Sequence, residues 1–116
     1  MKLIRFGQSG KERPGLLLDD GRKIDSSEIT SDYDEDFFAS GGLEKLRQWS
    51  QTKAAHAPEI NPNERLGSPI ARPSKLLCIG LNFRDHAAET NTPLPEEPVL
   101  FSKATSALSG PFDNII

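Results

Sequence analysis

The sequence predicts an α+β protein that is mainly β, built from a small β-rich domain followed by the start of a second domain. Short apolar runs separated by turn residues fill the first part of the chain, and one helical apolar pattern follows them. After a proline-rich stretch, another apolar run leads into a short polar helix and a further strand. We therefore expect a small domain over residues 1–53, a connector over 54–74 and a second domain over 75–116.

The first domain is expected to contain three short strands, at residues 2–6, 14–18 and 22–24. Asp20 and Gly21 lie between the second and third strands. An Asp-Gly pair favours a tight turn because glycine adopts positive φ without steric cost. The second and third strands should therefore form a hairpin.

A single helix is expected over residues 42–50, because Leu43, Leu46 and Trp49 recur at the spacing of one helix face. The acidic stretch over residues 26–36 precedes it. This stretch lacks the glycine and the final glutamate of an EF-hand calcium loop. We interpret it as a solvated acidic turn.

Charge and composition exclude several classes of protein. The 116 residues carry a net charge of −3, and no cluster of lysine and arginine suggests a nucleic-acid surface. No apolar run is long enough to cross a membrane. The N-terminus has no signal-peptide core, and the single cysteine cannot form an internal disulfide. A cytoplasmic protein is the simplest expectation.

The most informative stretch is at the start of the second domain. Residues 76–79 form an apolar run that predicts a short buried strand. Asn82 follows as a favourable N-cap, and residues 83–90 then predict a short helix. Phe83, Ala87 and Ala88 are the apolar members of this predicted helix.

His86 and Glu89 are the candidate catalytic residues. They are three positions apart on the predicted helix and so lie on one face. A carboxylate beside an imidazole orients the ring and supports its charged form, which suits a general base. The alternative is an ordinary solvated helix face, and the spacing alone does not decide between the two.

Two further residues follow the helix as candidate substrate ligands. Residues 98–104 predict a strand in which Lys103 shares a face with Val99 and Phe101. Lys103 is therefore either a residue at the sheet edge or a cation directed into a site. After this strand, hydroxyl groups are available from Thr105, Ser106 and Ser109, although such residues are common in loops.

Two sequence blocks resemble the fumarylacetoacetate hydrolase family. The first is G-L-N-F-R-D-H-A-A-E at residues 80–89, and the second is E-P-V-L-F-S-K-A-T-S-A at residues 97–107. They resemble the family pattern G-x-N-Y-x-D-H-x-x-E followed by E-P-x-x-F-x-K-x-x-x-A. The N-terminal segment M-K-L-I-R-F-G through R-P-G-L-L-L-D-D-G-R also resembles the small leading domain of bacterial members. Those members are often labelled ureidoglycolate lyase or 2,4-diketo-3-deoxy-L-fuconate hydrolase.

The resemblance implies an enzyme that cleaves a C–C bond in a 2-oxo or β-diketo acid by hydrolysis. Its catalytic domain would be a mixed β-roll, of which residues 75–116 are the first strands and short helix. Mg²⁺ or Mn²⁺ would be bound by carboxylates beyond residue 116, with no metal ligand in this chain. His86, oriented by Glu89, would move a proton, and Lys103 and Ser106 would contact the substrate.

We accordingly expect this chain to be the N-terminal part of a longer, homodimeric enzyme and to be inactive alone. Its expected partner is a small oxo acid, without nucleic acid or membrane. Two departures from the family pattern occur: Phe83 stands where Tyr is usual, and Leu81 stands where acylpyruvate-cleaving members often have Arg. A non-catalytic interaction module, a decarboxylase, an isomerase and a ureidoglycolate lyase stay open as alternatives.

Overall fold

The computed structural model describes residues 1–115, so Ile116, the last residue of the predicted second domain, lies outside the described part. The chain forms two compact units, residues 1–73 with 108–115 and residues 74–107. The strands are β1 (Lys2–Phe6), β2 (Arg13–Leu17), β3 (Lys23–Asp25), β4 (Leu76–Gly80) and β5 (Val99–Lys103). The helices are α1 (Glu35–Ala39), α2 (Gly42–Lys53), α3 (Arg84–Glu89) and a 3-10 turn, Thr105–Ala107.

The first unit contains an antiparallel sheet in the order β1-β2-β3. In its register Leu3 lies opposite Leu16, and Leu16 lies opposite Ile24. The β2–β3 hairpin turns at Gly21, which has a φ of 89°. The three predicted strands are therefore confirmed, with the second and third shifted by about one residue.

Both faces of this sheet are buried, because alternate side chains of a strand point to opposite faces. One face packs against the two helices and the turn before them, in a cluster of Leu16, Ile24, Tyr33, Phe37, Leu46 and Trp49. The other face carries a smaller cluster of Ile4, Phe6 and Ile60. Gly15 of β2 faces Ile60, and a Cβ at Gly15 would collide with the Ile60 side chain.

Residues 54–73 are part of the first unit instead of a connector on its surface. Residues 58–60 bond to β3, through the Asp25 N–H to the Pro58 carbonyl and the Ile60 N–H to the Lys23 carbonyl, both at 2.8 Å. Residues 65–67 bond to β1, where Phe6 and Leu66 form a bridge. The segment therefore covers both edges of the sheet, although its prolines prevent a helix.

The acidic turn is less exposed than predicted and leads into a helix that the sequence did not reveal. Asp32 forms a bidentate pair with Arg5, with Nε–Oδ1 and Nη2–Oδ2 distances of 2.6 and 2.9 Å. Asp34 is the N-cap of α1, because its side chain accepts a hydrogen bond from the Phe37 N–H. The interpretation of residues 26–36 as a wholly solvated turn is therefore wrong.

The predicted helix is confirmed as α2 and extends to Lys53. Leu46 and Trp49 are buried in the core, as the apolar spacing predicts. Leu43, by contrast, is 40% exposed and does not join the core cluster. The helical pattern therefore identifies the buried face correctly except at its first turn.

The second unit contains an antiparallel two-stranded sheet in which Cys78 lies opposite Phe101 and Ile79 opposite Leu100. The expectation of a buried strand at residues 76–79 is wrong for this chain. Leu77 is 60% exposed, and every residue of β5 is exposed. Two strands alone cannot enclose an apolar core, so both faces of this sheet stay open.

Within the described residues, no helix has the length and apolar character needed to cross a membrane.

A buried hydroxyl pair connects the turn before α1 to the sheet. The Tyr33 hydroxyl donates to the Gly15 carbonyl at 2.9 Å and lies 2.8 Å from Ser26 Oγ. Because the single tyrosine proton goes to Gly15, the Ser26 hydroxyl donates to Tyr33. Burial is the main cause that raises the pKa of Tyr33 to about 12.

We predict that Tyr33→Phe lowers the free energy of unfolding by about 1–3 kcal/mol, because Ser26 and the Gly15 carbonyl are then buried without partners. The effect should be lost in alkali. The folded pKa lies above the unfolded value near 10, so the contribution of Tyr33 is complete below about pH 10 and fades towards pH 12. Urea unfolding of both proteins between pH 7 and 12 measures this.

The exposed neighbour Ser27 supplies the control, since Ser27→Ala should change stability by less than about 0.5 kcal/mol at every pH. A Tyr33→Phe protein as stable as the control at neutral pH would contradict the buried hydroxyl pair.

Candidate functional site

The candidate site lies on α3, which follows β4 after three residues. The predicted cap is wrong: Phe83, with extended φ and ψ of −119° and 133°, occupies the N-cap position, and no side chain bonds to the helix end. Asp85 lies in the first turn, where its charge favours the helix dipole. Phe83 itself is 73% exposed in this chain.

Leu81 adopts a left-handed backbone with a φ of 49°. For a residue with a bulky side chain this conformation costs about 1–2 kcal/mol. Residues held in such conformations concentrate at functional sites. The sequence does not predict this backbone conformation, because leucine seldom adopts a positive φ.

His86 and Glu89 are neighbours on α3, as their spacing predicts. The His86 Nδ1 to Glu89 Oε2 distance is 3.9 Å, which is within ion-pair range and too long for a hydrogen bond. The two side chains are 56% and 77% exposed, so water screens their interaction. This arrangement can orient the imidazole once the distance shortens, and it leaves Nε2 free to exchange a proton.

Lys103 and Ser106 lie in the same compact unit as the His86–Glu89 pair. Lys103 is the last residue of β5, opposite Leu76, and its side chain is exposed. Ser106 lies in the 3-10 turn that follows and is exposed as well. Their roles as substrate ligands stay predictions, and so does the edge alternative for Lys103.

The described residues do not provide a metal centre. Across residues 1–115, no three His, Cys, Asp or Glu side chains are grouped so that they could hold a metal ion. The divalent metal that the resemblance implies, with ligands beyond residue 116, stays a prediction.

Comparisons with known proteins agree with the resemblance at the level of the family. Residues 75–116 match the model of the fumarylacetoacetate (FAA) hydrolase C-terminal family. This segment contains β4, α3, β5 and the 3-10 turn, and therefore all four candidate site residues. The resemblance to this family is confirmed for that part of the chain.

The similar curated proteins are bacterial. The chain is 43% identical over 115 residues to proteins of Burkholderia lata and Burkholderia ambifaria that carry the name "Putative hydrolase". These alignments cover 99% of the chain and 40% of each relative. The chain thus spans about two fifths of the length of the curated relatives it matches.

Two solved structures share the fold. One is that of a "putative HpcE protein" from Mycobacterium smegmatis, with 28% identity and a TM-score of 0.69. The other is a fumarylacetoacetate hydrolase from the psychrophilic Exiguobacterium antarcticum, with 31% identity and a TM-score of 0.65. The matches cover 99% of this chain and 40% and 39% of those chains, respectively. The chain therefore shares its α+β fold with part of each of these structures.

We predict that the left-handed backbone at Leu81 discriminates between substitutions at this position. Leu81→Asn should be less destabilising than Leu81→Val by about 1 kcal/mol, because Asn tolerates positive φ and a β-branched residue does not. Amide hydrogen exchange in β4 and β5 measures the difference. Equal protection in the two variants would show that residue 81 is not left-handed in solution.

Proposed function

We propose that this chain forms the N-terminal part of a hydrolase of the fumarylacetoacetate hydrolase family, cleaving a C–C bond in a 2-oxo or β-diketo acid. The observation that carries the proposal is the family match over residues 75–116, which includes the His86–Glu89 pair on α3. In this proposal the second unit is the beginning of the mixed β-roll catalytic domain. The relatives named as hydrolases support the reaction class.

His86 is the proposed proton-transfer residue, and Glu89 is the group that orients it. In the proposed active state, the 3.9 Å distance between Nδ1 and Oε2 shortens to a hydrogen bond. Catalytic hydrogen bonds are often long before substrate binds and tighten in the substrate complex. A proton on Nδ1 then bonds to Glu89 and leaves Nε2 unprotonated, so that Nε2 can remove a proton from water.

Lys103 and Ser106 are the proposed ligands of the substrate carboxylate. An ammonium group makes charge-assisted hydrogen bonds to a carboxylate, and a serine hydroxyl adds a further donor. Both residues lie at the C-terminal end of β5 or directly after it. Their exposure in this chain leaves both groups free to bind an anion.

The Mg²⁺ or Mn²⁺ implied by the family belongs to this proposal, together with a homodimeric parent enzyme. When bound, such an ion polarises a carbonyl group as a Lewis acid. Residues 1–115 contain no group of three candidate ligands, so its ligands are proposed to come from other parts of the parent enzyme. The role proposed for this chain is limited to proton transfer and substrate contact.

A second candidate is a non-catalytic interaction module. The high exposure of His86 and Glu89 favours it, because a solvated helix face has the same appearance. Decarboxylase, isomerase and ureidoglycolate lyase activities are alternatives within the enzyme hypothesis, since one fold supports several reactions.

We predict that His86→Ala lowers kcat by about 10²–10⁴ in a protein of the relatives' length that carries these residues. The reason is that no other group then accepts the proton from water. Steady-state kinetics with an acylpyruvate at saturating Mg²⁺ measures the loss. Substrate and metal affinities should change little.

His56 is a matched control, because it is the only other histidine and is exposed in the first unit. His56→Ala should leave kcat unchanged. If His86→Ala retains more than about half of the wild-type rate, the proton-transfer role is wrong and the solvated-face alternative holds.

We predict that Glu89→Gln reduces kcat less than His86→Ala does. Glutamine still accepts a hydrogen bond from the imidazole but carries no charge to favour imidazolium. Steady-state kinetics of the two variants and the wild type measure the difference. A Glu89→Gln enzyme as fast as the wild type would exclude Glu89 as the partner of His86.

A further inference from the structure

Arg65 lies at the centre of a polar cluster in the first unit, which we call the Arg65 cluster: Arg65, Glu12, Gly110 and Asp113. Its guanidinium forms a bidentate pair with Asp113, with Nε–Oδ1 and Nη2–Oδ2 distances of 2.8 and 2.6 Å. Nη1 donates to Glu12 Oε1 at 2.9 Å and to the Gly7 carbonyl at 3.0 Å. Arg65 therefore joins residues 110–113 to the β1–β2 loop.

The cluster is protected from water more than an ordinary surface pair. The Glu12 side chain is 9% exposed, and those of Arg65 and Asp113 are 30% and 26% exposed. Glu12 also lies 3.6 Å from Arg5, which is itself paired with Asp32. Planar arginine–carboxylate pairs with reduced solvent screening are the ion pairs that constrain geometry most strongly.

Gly110 lets the returning chain approach closely. Its N–H donates to Asp113 Oδ2 at 2.8 Å, and a Cβ at this position would collide with the Leu66 carbonyl oxygen. Residues 110–113 thus form a compact turn whose carboxylate faces Arg65. Only glycine permits this fit without displacement of the backbone.

The turn at residues 110–113 lies where the chain has just returned to the first unit. The chain leaves the first unit after Pro73 and rejoins it at Leu108. The departing end is held by Ala71, which is buried and whose N–H donates to the Tyr33 carbonyl at 2.9 Å. The returning end is held by the Arg65 cluster. Residues 74–107 are therefore a long insertion between two segments that both belong to the first unit.

We propose that the Arg65 cluster fixes the returning chain at residues 110–113 to the first unit and thereby favours the structured state of residues 74–107, which carry His86 and Glu89. Fixing both ends of a segment removes conformations from its open state and so favours the closed, structured one. With the cluster broken, the returning end of residues 74–107 is no longer fixed by Arg65. Their two-stranded sheet, marginal by itself, then opens more often.

The protonation equilibria agree with this geometry. The hydrogen bond from Arg65 is the main cause that lowers the pKa of Asp113. For Glu12, burial alone would raise the pKa, but the bonds from Arg65 and its own backbone and the charges of Arg5 and Arg65 outweigh it and lower the pKa. Both carboxylates are therefore charged above about pH 5, and closure is lost progressively as acid protonates them.

Limited trypsin digestion of the full chain at neutral pH tests the proposal. Cleavage after Arg84 and Lys103 reports opening of the second unit, and cleavage after Lys45 and Arg47 in α2 reports opening of the first. Asp113→Asn should raise the ratio of second-unit to first-unit cleavage by at least about threefold, the effect of losing a moderately protected pair. Asp20→Asn is the matched control, because it breaks the exposed Asp20–Arg22 pair and should leave the ratio unchanged.

Two further variants separate closure from general destabilisation. Gly110→Ala should raise the same ratio without any change of charge, because it displaces the turn from Leu66. Asp113→Glu keeps the carboxylate and should restore most of the protection that Asp113→Asn loses. The proposal is overturned if Asp113→Asn behaves as Asp20→Asn, if both units become equally labile, or if Asp113→Glu is as labile as Asp113→Asn. This test does not depend on the proposed function, since no turnover is measured.

Discussion

A three-stranded sheet with two apolar faces and two open edges sets the path of the rest of the first unit. The β1-β2-β3 sheet buries apolar side chains on each face, so a single layer of helix cannot cover it. The two helices cover one face, and residues 54–73 cross the other and bond to both edge strands. Open strand edges invite pairing with other chains, and this arrangement removes them.

The second unit is organised differently. Its β4–β5 sheet has exposed apolar residues on both faces. The segment that matches the FAA hydrolase model therefore begins in a sheet with few tertiary contacts of its own. Under our proposal, the Arg65 cluster favours the structured state of this unit by fixing residues 110–113.

The candidate site combines a local and a remote contribution. The helix spacing brings His86 and Glu89 within 3.9 Å without any help from the rest of the fold. Their exposure means that α3 and its own unit do not desolvate them, although general bases work best where water is excluded. In the proposed enzyme, the surrounding protein and the substrate exclude water from His86 and Glu89. In the same complex, Lys103 and Ser106 bind the substrate carboxylate.

Local patterns in the sequence determined the three N-terminal strands, α2, the β4–α3–β5 order and the His86–Glu89 pairing, because each depends on residues within a few positions of one another. Tertiary structure alone decided the path of residues 54–73, the exposure of Phe83 and the pairing of Arg65 with Asp113, 48 positions away. Such contacts follow from which faces and edges stay uncovered after the local elements form. A short-range pattern does not show which faces and edges stay uncovered. The prolines and the acidic residues likewise do not indicate their partners.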